Sequence, residues 1–375
     1  MGKNKILIVF LLIINALTAF SQNQESKWYA LPDGTGYIDI QGDILNVERK
    51  LMQAYPFSDG MARVAFADNY QSGLIDETGS VILEGKILMK MGNYSSGYAL
   101  IEYDMLDYNF IDKNGDKVFD NNVYYLQRFS DGLALISKGK NEPSIVIDNK
   151  FHEVFVVPEE FAIDPFSNGL AVIKKINRKI LHTDYGYIDK TGKVLVYPYL
   201  YWAEDFSEDV AVVNRNQFIN KKGEFIFTDL DISLAKKFSD GMCRVIKDDR
   251  IGYIDKSGRI VIEPVFTSAS DFIDGYAVAS MANKAMGNEV FDFDQRLVDG
   301  ALWGIIDKTG AWVIEPEYRS INLLGNNVAN LSSKDSNGNW LSKLIVLGKD
   351  IRVLWEKEYP GSSPKKELSD YVNGY

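Results

Sequence analysis

Seven aspartates recur along this chain at the same place in a short phrase: Asp39, Asp76, Asp112, Asp148, Asp189, Asp255 and Asp307. Carboxylates at a regular interval can chelate a hard cation such as calcium, or work in pairs as acid and base on a glycosidic bond. Position argues against both. Most of these aspartates are followed by x-x-Gly, as in Asp189-Lys190-Thr191-Gly192 and Asp307-Lys308-Thr309-Gly310. Asp opens a tight turn by bonding the backbone two residues on, and Gly accepts positive φ at its end. In an eighth copy Asn220 takes the same place and the phrase continues undisturbed. The aspartates are read as turn formers. Asp112-Lys113-Asn114-Gly115-Asp116 resembles part of a calcium loop but lacks the closing Glu.

Other reactive groups are few. His152 and His182 stand in different copies and form no ligand pair at metal spacing. Cys243 is the single cysteine, so no intrachain disulfide is possible, and its place on an expected strand marks it as a buried small hydrophobe. No Gly-x-Ser-x-Gly elbow occurs. The serine of a recurring Phe-Ser-Asp-Gly phrase is present in most copies, and a nucleophile has no reason to be repeated. No catalytic residue, cofactor or metal ligand is assigned. One acidic cluster outside the pattern, Glu289, Asp292 and Asp294, keeps a carboxylate-dependent glycan hydrolase as the alternative. The candidates for binding are Lys174, Lys175, Arg178 and Lys179 in one insertion, and Trp202 and Trp312. With Trp340, Tyr197, Tyr199 and Tyr201, these tryptophans offer rings that stack on sugar or dock a peptide, although most aromatics of a repeat fill its core.

Two phrases must position these side chains. Gly-aromatic-Ile-Asp occurs cleanly at 36–39, 186–189, 252–255 and 304–307, as Gly-Leu-Ile-Asp at 73–76, and in weaker form at 109–112, 145–148 and 217–220. Successive Asp or Asn positions are separated by 37, 36, 36, 41, 31, 35 and 52 residues, which defines eight copies of a unit near 36. Phe-Ser-Asp-Gly and its variants keep the same beat at 57, 94, 129, 166, 206, 238 and 272. Two phrases in step mean a tandem array. β-Branched and aromatic residues flank each turn, so the first phrase is a hairpin, and its return strand ends at Glu263-Pro264 or Glu315-Pro316 because proline donates no ladder bond. Each unit holds three short antiparallel strands and a fourth extended piece around the proline. Helix is expected to be scarce, with the best chance at Val47 to Ala54. A single unit buries some six apolar side chains, about 15 kcal/mol at ~1.5–3 kcal/mol each. Ordering one costs on the order of 54 kcal/mol. Neighbours must share a core.

Tyr or Trp, Gly, an apolar residue, Ile, Asp and then x-x-Gly is similar to the WG (KWG) repeat family, with Trp303-Gly304 as the literal pair and Tyr185-Gly186 as a close variant. The resemblance covers roughly 28–330 and is strongest at 185–200, 238–266 and 301–318. It implies a repetitive β protein of a mostly bacterial, often exported kind, and implies no particular activity. The expected fold is all-β, with stacked repeats forming either a propeller-like ring or an open superhelix.

The remaining features bound the setting. Lys3 and Lys5 precede the apolar run Ile6 to Phe20, and Ala19-Phe20-Ser21 offers small residues at the cleavage positions, the layout of a signal peptide over 1–21. A run of fifteen residues is short for a membrane span, so no stable span is expected after cleavage. The protein is therefore expected to be exported: periplasmic, at the cell surface or secreted. Its net charge of −11 becomes −13 when the two leader lysines are lost. With no basic stripe against this balance, nucleic acid is excluded as a partner. The array is placed at 22–342, a capping hairpin at 343–359, and a polar, frayed tail at 360–375. Two insertions, 174–184 and 281–302, interrupt the beat and are where function is sought. The reading favours a non-enzymatic module presenting a β-repeat surface to a protein or a glycan, or failing that an envelope component without ligand.

Overall fold

The computed structural model describes residues 27–85, 90–104, 107–177, 182–281 and 301–360. Among them there is no α-helix. Eight antiparallel sheets of three or four strands follow one another, at 51–84, 91–111, 125–156, 162–200, 210–226, 234–266, 268–318 and 320–359. They are arranged as an eight-bladed β-propeller. A smaller two-stranded sheet, Tyr29–Ala30 with Tyr37–Ile38, precedes the first. The helix expected around Val47 to Ala54 is absent. Leu51–Ala54 is a strand with Leu51 and Ala54 buried, and its pairing with Val64, Ala65 and Phe66 overrides local propensity.

The sixth sheet shows the plan. Leu234–Ser239 turns through Asp240-Gly241 into Met242–Lys247, Arg250–Asp255 carries the Gly-Tyr-Ile-Asp phrase, and Ile260–Phe266 forms the rim. Asp240 and Gly241 have φ of 52° and 75°, two left-handed residues in a row, as the two-residue hairpin turn between twisted strands requires. Further core comes from the neighbouring sheet: Tyr253, Ile262 and Phe266 pack with Phe272, Ala277 and Ile306 of the seventh. The same two-sheet cores recur around the molecule, the sharing that a 36-residue unit needs.

The ring closes between residues more than three hundred positions apart. The small first sheet lies between the eighth and the first large one. Its Tyr29, Leu31 and Ile38 pack with Val328 and Leu344, while Trp28, Tyr37 and Leu45 pack with Val64 and Phe66. Lys357 Nζ lies 2.8 Å from the Asp33 carboxylate, and the Arg352 guanidinium donates to the Ile40 carbonyl. The segment read as a capping hairpin lies within the last two strands of the eighth sheet, Trp340–Val346 and Arg352–Tyr359, and helps to form this seam. Residues 1–21, most of 281–302 and the tail from 361 lie outside the described residues.

Candidate functional site

The recurring polar residues are occupied with holding the ring together. Asp76, Asp112, Asp148, Asp189, Asp255 and Asp307 each accept backbone N–H bonds through Oδ1 from the residues two and four positions on. Asn220 Oδ1 does the same for Lys222 and Glu224 at 2.9 and 3.1 Å, which is why it replaces Asp without consequence. The Ser257 hydroxyl, with the Arg259 backbone and side chain, holds the Asp255 carboxyl well below the usual carboxylate range. Among the described residues no His, Cys, Asp and Glu cluster has the makings of a metal centre.

The Phe-Ser-Asp-Gly serines join neighbouring sheets. Ser58, Ser130, Ser167, Ser207 and Ser239 donate to the carbonyls of Tyr94, Phe166, Phe206, Phe238 and Phe272, the aromatic at the same place one unit on, at 2.6–2.8 Å. The acid beside each serine reinforces the link. Asp131 accepts from the Gly169 N–H at 2.6 Å and pairs with Lys190 at 2.8 Å, both in the next sheet. Asp59 pairs likewise with Lys113, and Asp240 with Lys308. The phrase tyrosines complete the seam: Tyr37, Tyr187 and Tyr253 bury their rings and donate to the carbonyls of Tyr55, Glu204 and Ser270 in the following sheet, each at 2.7 Å. Cys243 is fully buried, and burial pushes its thiol pKa up.

The repeat leaves other polar and aromatic side chains at the surface, and the fourth sheet carries a row of them. Its second and third strands, Leu170–Asn177 and His182–Asp189, are the longest such pair among the described residues at eight residues each. On its rim strand, Val194–Leu200, Val196, Pro198 and Leu200 are buried while Tyr197 and Tyr199 are 53% and 60% exposed. Tyr201 and Trp202 follow at 55% and 40%. Several of these exposed rings are held. Lys175 Nζ donates to Tyr197 Oη at 2.6 Å and pairs with Glu160 at 2.7 Å, and the Phe161 ring meets Tyr197 edge-on at 5.9 Å. Tyr201 Oη donates to the Asn214 carbonyl at 2.6 Å, and the Trp202 ring lies 6.4 Å from the Tyr185 ring and 5.9 Å from the Arg215 guanidinium.

The structure separates the sequence candidates. Lys175 and Trp202 stand at this aromatic rim. Lys174, one residue along the strand, instead forms an ion pair with Asp164 at 2.6 Å. Trp312 belongs to the seventh sheet, where it packs edge-on against Phe266 at 5.8 Å and lies over Gly304, so it serves the core. Arg178 and Lys179 lie outside the described residues, as do Glu289, Asp292 and Asp294.

A second polar group was not singled out from the sequence. Asp164, Glu204, Asp205, Lys236, Lys237 and Asp271 all occur within the two residues before a Phe-Ser phrase or directly before its Phe, in the fourth to seventh units, and Arg244 joins Asp271 at 2.9 Å. Lys236 approaches Glu204 at 3.8 Å. Burial, then repulsion from Asp271, raises the Glu204 pKa against the pull of Lys236, Arg244 and Lys237. Burial, then Asp164, raises that of Asp205 against Lys237 and Lys174. The signal was the run of charges at one repeat position in consecutive units.

Comparison with known proteins agrees with this architecture. A family model described as "WG containing repeat" matches residues 36–70, 185–217, 251–284 and 303–329. Among curated proteins none matches the sequence. A crystal structure of a eukaryotic initiation factor superposes with a TM-score of 0.57 at 12% identity, covering 88% of this chain and 95% of that one. At that identity the likeness concerns the fold alone. BamB from Moraxella catarrhalis matches with a TM-score of 0.38 at 14% identity, over 65% of this chain and 84% of its own. AztD from Citrobacter koseri matches at 0.36 and 11%, over 87% and 93%.

Proposed function

Taking as premise a chain built of WG-containing repeats and folded as an eight-bladed propeller, we propose that it is an exported, non-enzymatic binding module whose contact surface is the rim of the fourth sheet. The observation that carries this reading is the row Tyr197, Tyr199 and Tyr201 with Trp202: large rings held at the surface of the sheet with the longest inner strands. Exposed aromatics of this density mark contact surfaces more often than chance surface does. The absence of catalysis is supported by the fate of the recurring Asp and Ser side chains, which are consumed in turns and seams. Export rests on the charged, apolar and small-residue order of positions 1–21. Protein and glycan are the partner classes this surface suits.

The test is retention. Immobilised protein is challenged with an envelope extract and a glycan array, beside a variant carrying Tyr197→Ala, Tyr199→Ala and Tyr201→Ala. A ligand held by the parent and lost by the variant is expected; equal retention by both, or none by the parent, defeats the reading. Sequencing the mature N-terminus after expression in a bacterium checks export, with a start at Gln22 expected.

A further inference from the structure

The small two-stranded sheet at the seam is a unit without its first strand, and we propose that residues 368–374 of the same chain supply it. Register defines the missing place. Tyr29 pairs with Ile38 and Ala30 with Tyr37, as Cys243 pairs with Ile254 and Arg244 with Tyr253 in the sixth sheet. Tyr29–Ala30 is therefore a second strand and Tyr37–Ile38 a third. The Leu31 N–H donates to the Gly36 carbonyl, so by antiparallel alternation the N–H and carbonyl of Ala30 point away from Tyr37. In whole sheets this carbonyl accepts from the first strand: Gln127 donates to Leu135, Asp164 to Val172 and Ser270 to Val278, at 2.8–2.9 Å. Among the described residues nothing donates to the Ala30 carbonyl. An open strand edge of this kind is a template for one more strand.

Other parts of a unit are missing at the same place. Around the ring, the residue before the turn Gly reaches into the next sheet: Asp131 accepts from the Gly169 N–H, Asn168 from Asp209 and Asp274 from Asn327. This series stops at Asn326, and the Gly60 N–H of the first sheet has no such acceptor among the described residues. Phe166, Phe206, Phe238 and Phe272 of the Phe-Ser-Asp-Gly phrases each fill a core between sheets. The core that joins Tyr29 and Ile38 to Val328 and Leu344 of the eighth sheet holds no such ring.

The segment expected to fray carries what is missing. Leu368-Ser369-Asp370-Tyr371-Val372-Asn373-Gly374 matches Ala269-Ser270-Asp271-Phe272-Ile273-Asp274-Gly275 class for class. In the seventh sheet's register, Ser369 N–H meets the Ala30 carbonyl and Tyr371 enters the seam core. Gly374 then donates to Asn326, and Asn373 accepts from Gly60. Charge agrees. Lys113, Lys190 and Lys308 each face an acid of the preceding turn, Asp59, Asp131 and Asp240. The first sheet has Glu77 at that place, and Asn373 sets no second acid against it. Length agrees as well. The chain passes from a rim strand to the next first strand through one residue at Thr267 and Arg319, and through seven at 227–233. After Tyr359, residues 360–367 give eight.

The experiment is oxidative cross-linking of the full chain. The residue three before the aromatic pairs with the second strand, Ala54 with Val64, Ile163 with Ile173 and Ala269 with Ala279, which sets Leu368 opposite Leu31. This is the closely spaced kind of antiparallel pair, with Cα atoms about 4.5 Å apart and within disulfide reach. Leu31→Cys with Leu368→Cys is expected to form a disulfide within one chain, read by mass after digestion. Leu31→Cys with Ser363→Cys is expected to form none, and Cys243 is buried away from both. No link in the first pair overturns the proposal. A link found only between two chains overturns the assignment to the same chain and makes the edge an exchange site between copies. Two further measurements stand apart from the folding of the cysteine variants. In the unaltered chain the amides of 368–374 should exchange as slowly as those of Leu234–Ser239; exchange at the rate of a free peptide overturns the proposal. Tyr371→Ser should lower the melting temperature by several degrees, whereas Tyr375→Ala, beyond the phrase, should not. An unchanged temperature in Tyr371→Ser also overturns it. The binding reading is tested separately, since no rim tyrosine of the fourth sheet takes part.

Discussion

The sixth sheet and the second carry the same phrase in two states, and their difference explains what its glycine does. In the sixth, a Cβ built on Gly252 would sit 2.5 Å from the Ile262 carbonyl oxygen and 2.7 Å from the Pro264 nitrogen. Gly186 and Gly304 meet their own rim strands in the same way. These glycines need no positive φ; they clear a path for the rim backbone where it bulges at the proline. All three sheets have rim strands of seven residues. In the second sheet the position is Asn109, and the sheet has three strands. The buried amide of Asn109 donates to the Phe119 carbonyl at 2.9 Å and accepts from the Phe119 N–H at 3.0 Å. A side chain there does the work of a missing ladder. The third and fifth sheets, with Ile145 and Gln217, have rim strands of four and two residues. The long rim goes with a glycine that the rim backbone crosses; Gly73 of the first sheet faces the Phe66 ring instead, and its rim strand, Val81–Glu84, has four residues.

The sharpest way to break this comparison is to fill the gap. Gly252→Ala should destabilise the protein by about 3 kcal/mol, since the obstacle is backbone that cannot swing aside, the upper range for overpacking. Urea unfolding measures the loss, and amide exchange should show it first along Ile260–Phe266. A cost below about 1 kcal/mol would mean that the rim strand is freely displaced. The reverse exchange comes next in size. Asn109→Gly restores the family phrase in letters, yet it should cost about 2 kcal/mol because both polar groups of Phe119 lose buried partners. A neutral or stabilising Asn109→Gly would show that the amide merely occupies space.

A third contrast lies in the Phe-Ser-Asp-Gly turn. Most copies place Gly second, with φ between 75° and 91°. The fifth has Glu208-Asp209, and Asp209 bears φ of 70° without the freedom of glycine. Asp209→Gly should therefore stabilise by roughly 0.5 kcal/mol, the relief of a left-handed side chain less the entropy of glycine. Its backbone N–H keeps the bond to Asn168, and only an exposed pair with Lys221 is lost. A raised melting temperature is the readout.

Much of the fold was legible because repetition samples one structural solution many times. The Asn220 exchange alone separated turn chemistry from metal or acid chemistry, and the unit length required a shared core. Closure was not legible. It depends on Asp33 meeting Lys357 and Ile40 meeting Arg352, contacts whose partners share no phrase. The Ser and Tyr seams were half visible: their spacing was regular, but nothing local says that a hydroxyl will reach a carbonyl one unit away. At the rim, the exposed Tyr197 and Tyr199 alternate with buried residues as written in the chain, while the hold of Lys175 on Tyr197 reaches across the intervening strand His182–Asp189. Sequence proximity misled for Lys174, since adjacent residues of a strand face opposite ways. Trp312 misled for another reason: its ring fills the space that Gly304 leaves open.

The smallest effect is the most discriminating for the recurring carboxylates. If their task is to accept backbone bonds, Asp255→Asn should change stability at neutral pH by less than about 0.5 kcal/mol, since an amide oxygen accepts as Asn220 does. Asp255→Ala, which leaves the turn N–H groups to water, should cost about 1 kcal/mol. Acid separates the parent from the Asn variant. The folded Asp255 carboxyl titrates below its unfolded value, near 4 for a free aspartate, so its contribution is present above that value and is lost as pH falls toward the folded pKa. The parent should lose stability below about pH 4 more steeply than Asp255→Asn, whose amide has no proton to take up. Parallel acid curves for the two proteins would mean that the charge of Asp255 contributes nothing to the turn, and that geometry alone carries the phrase.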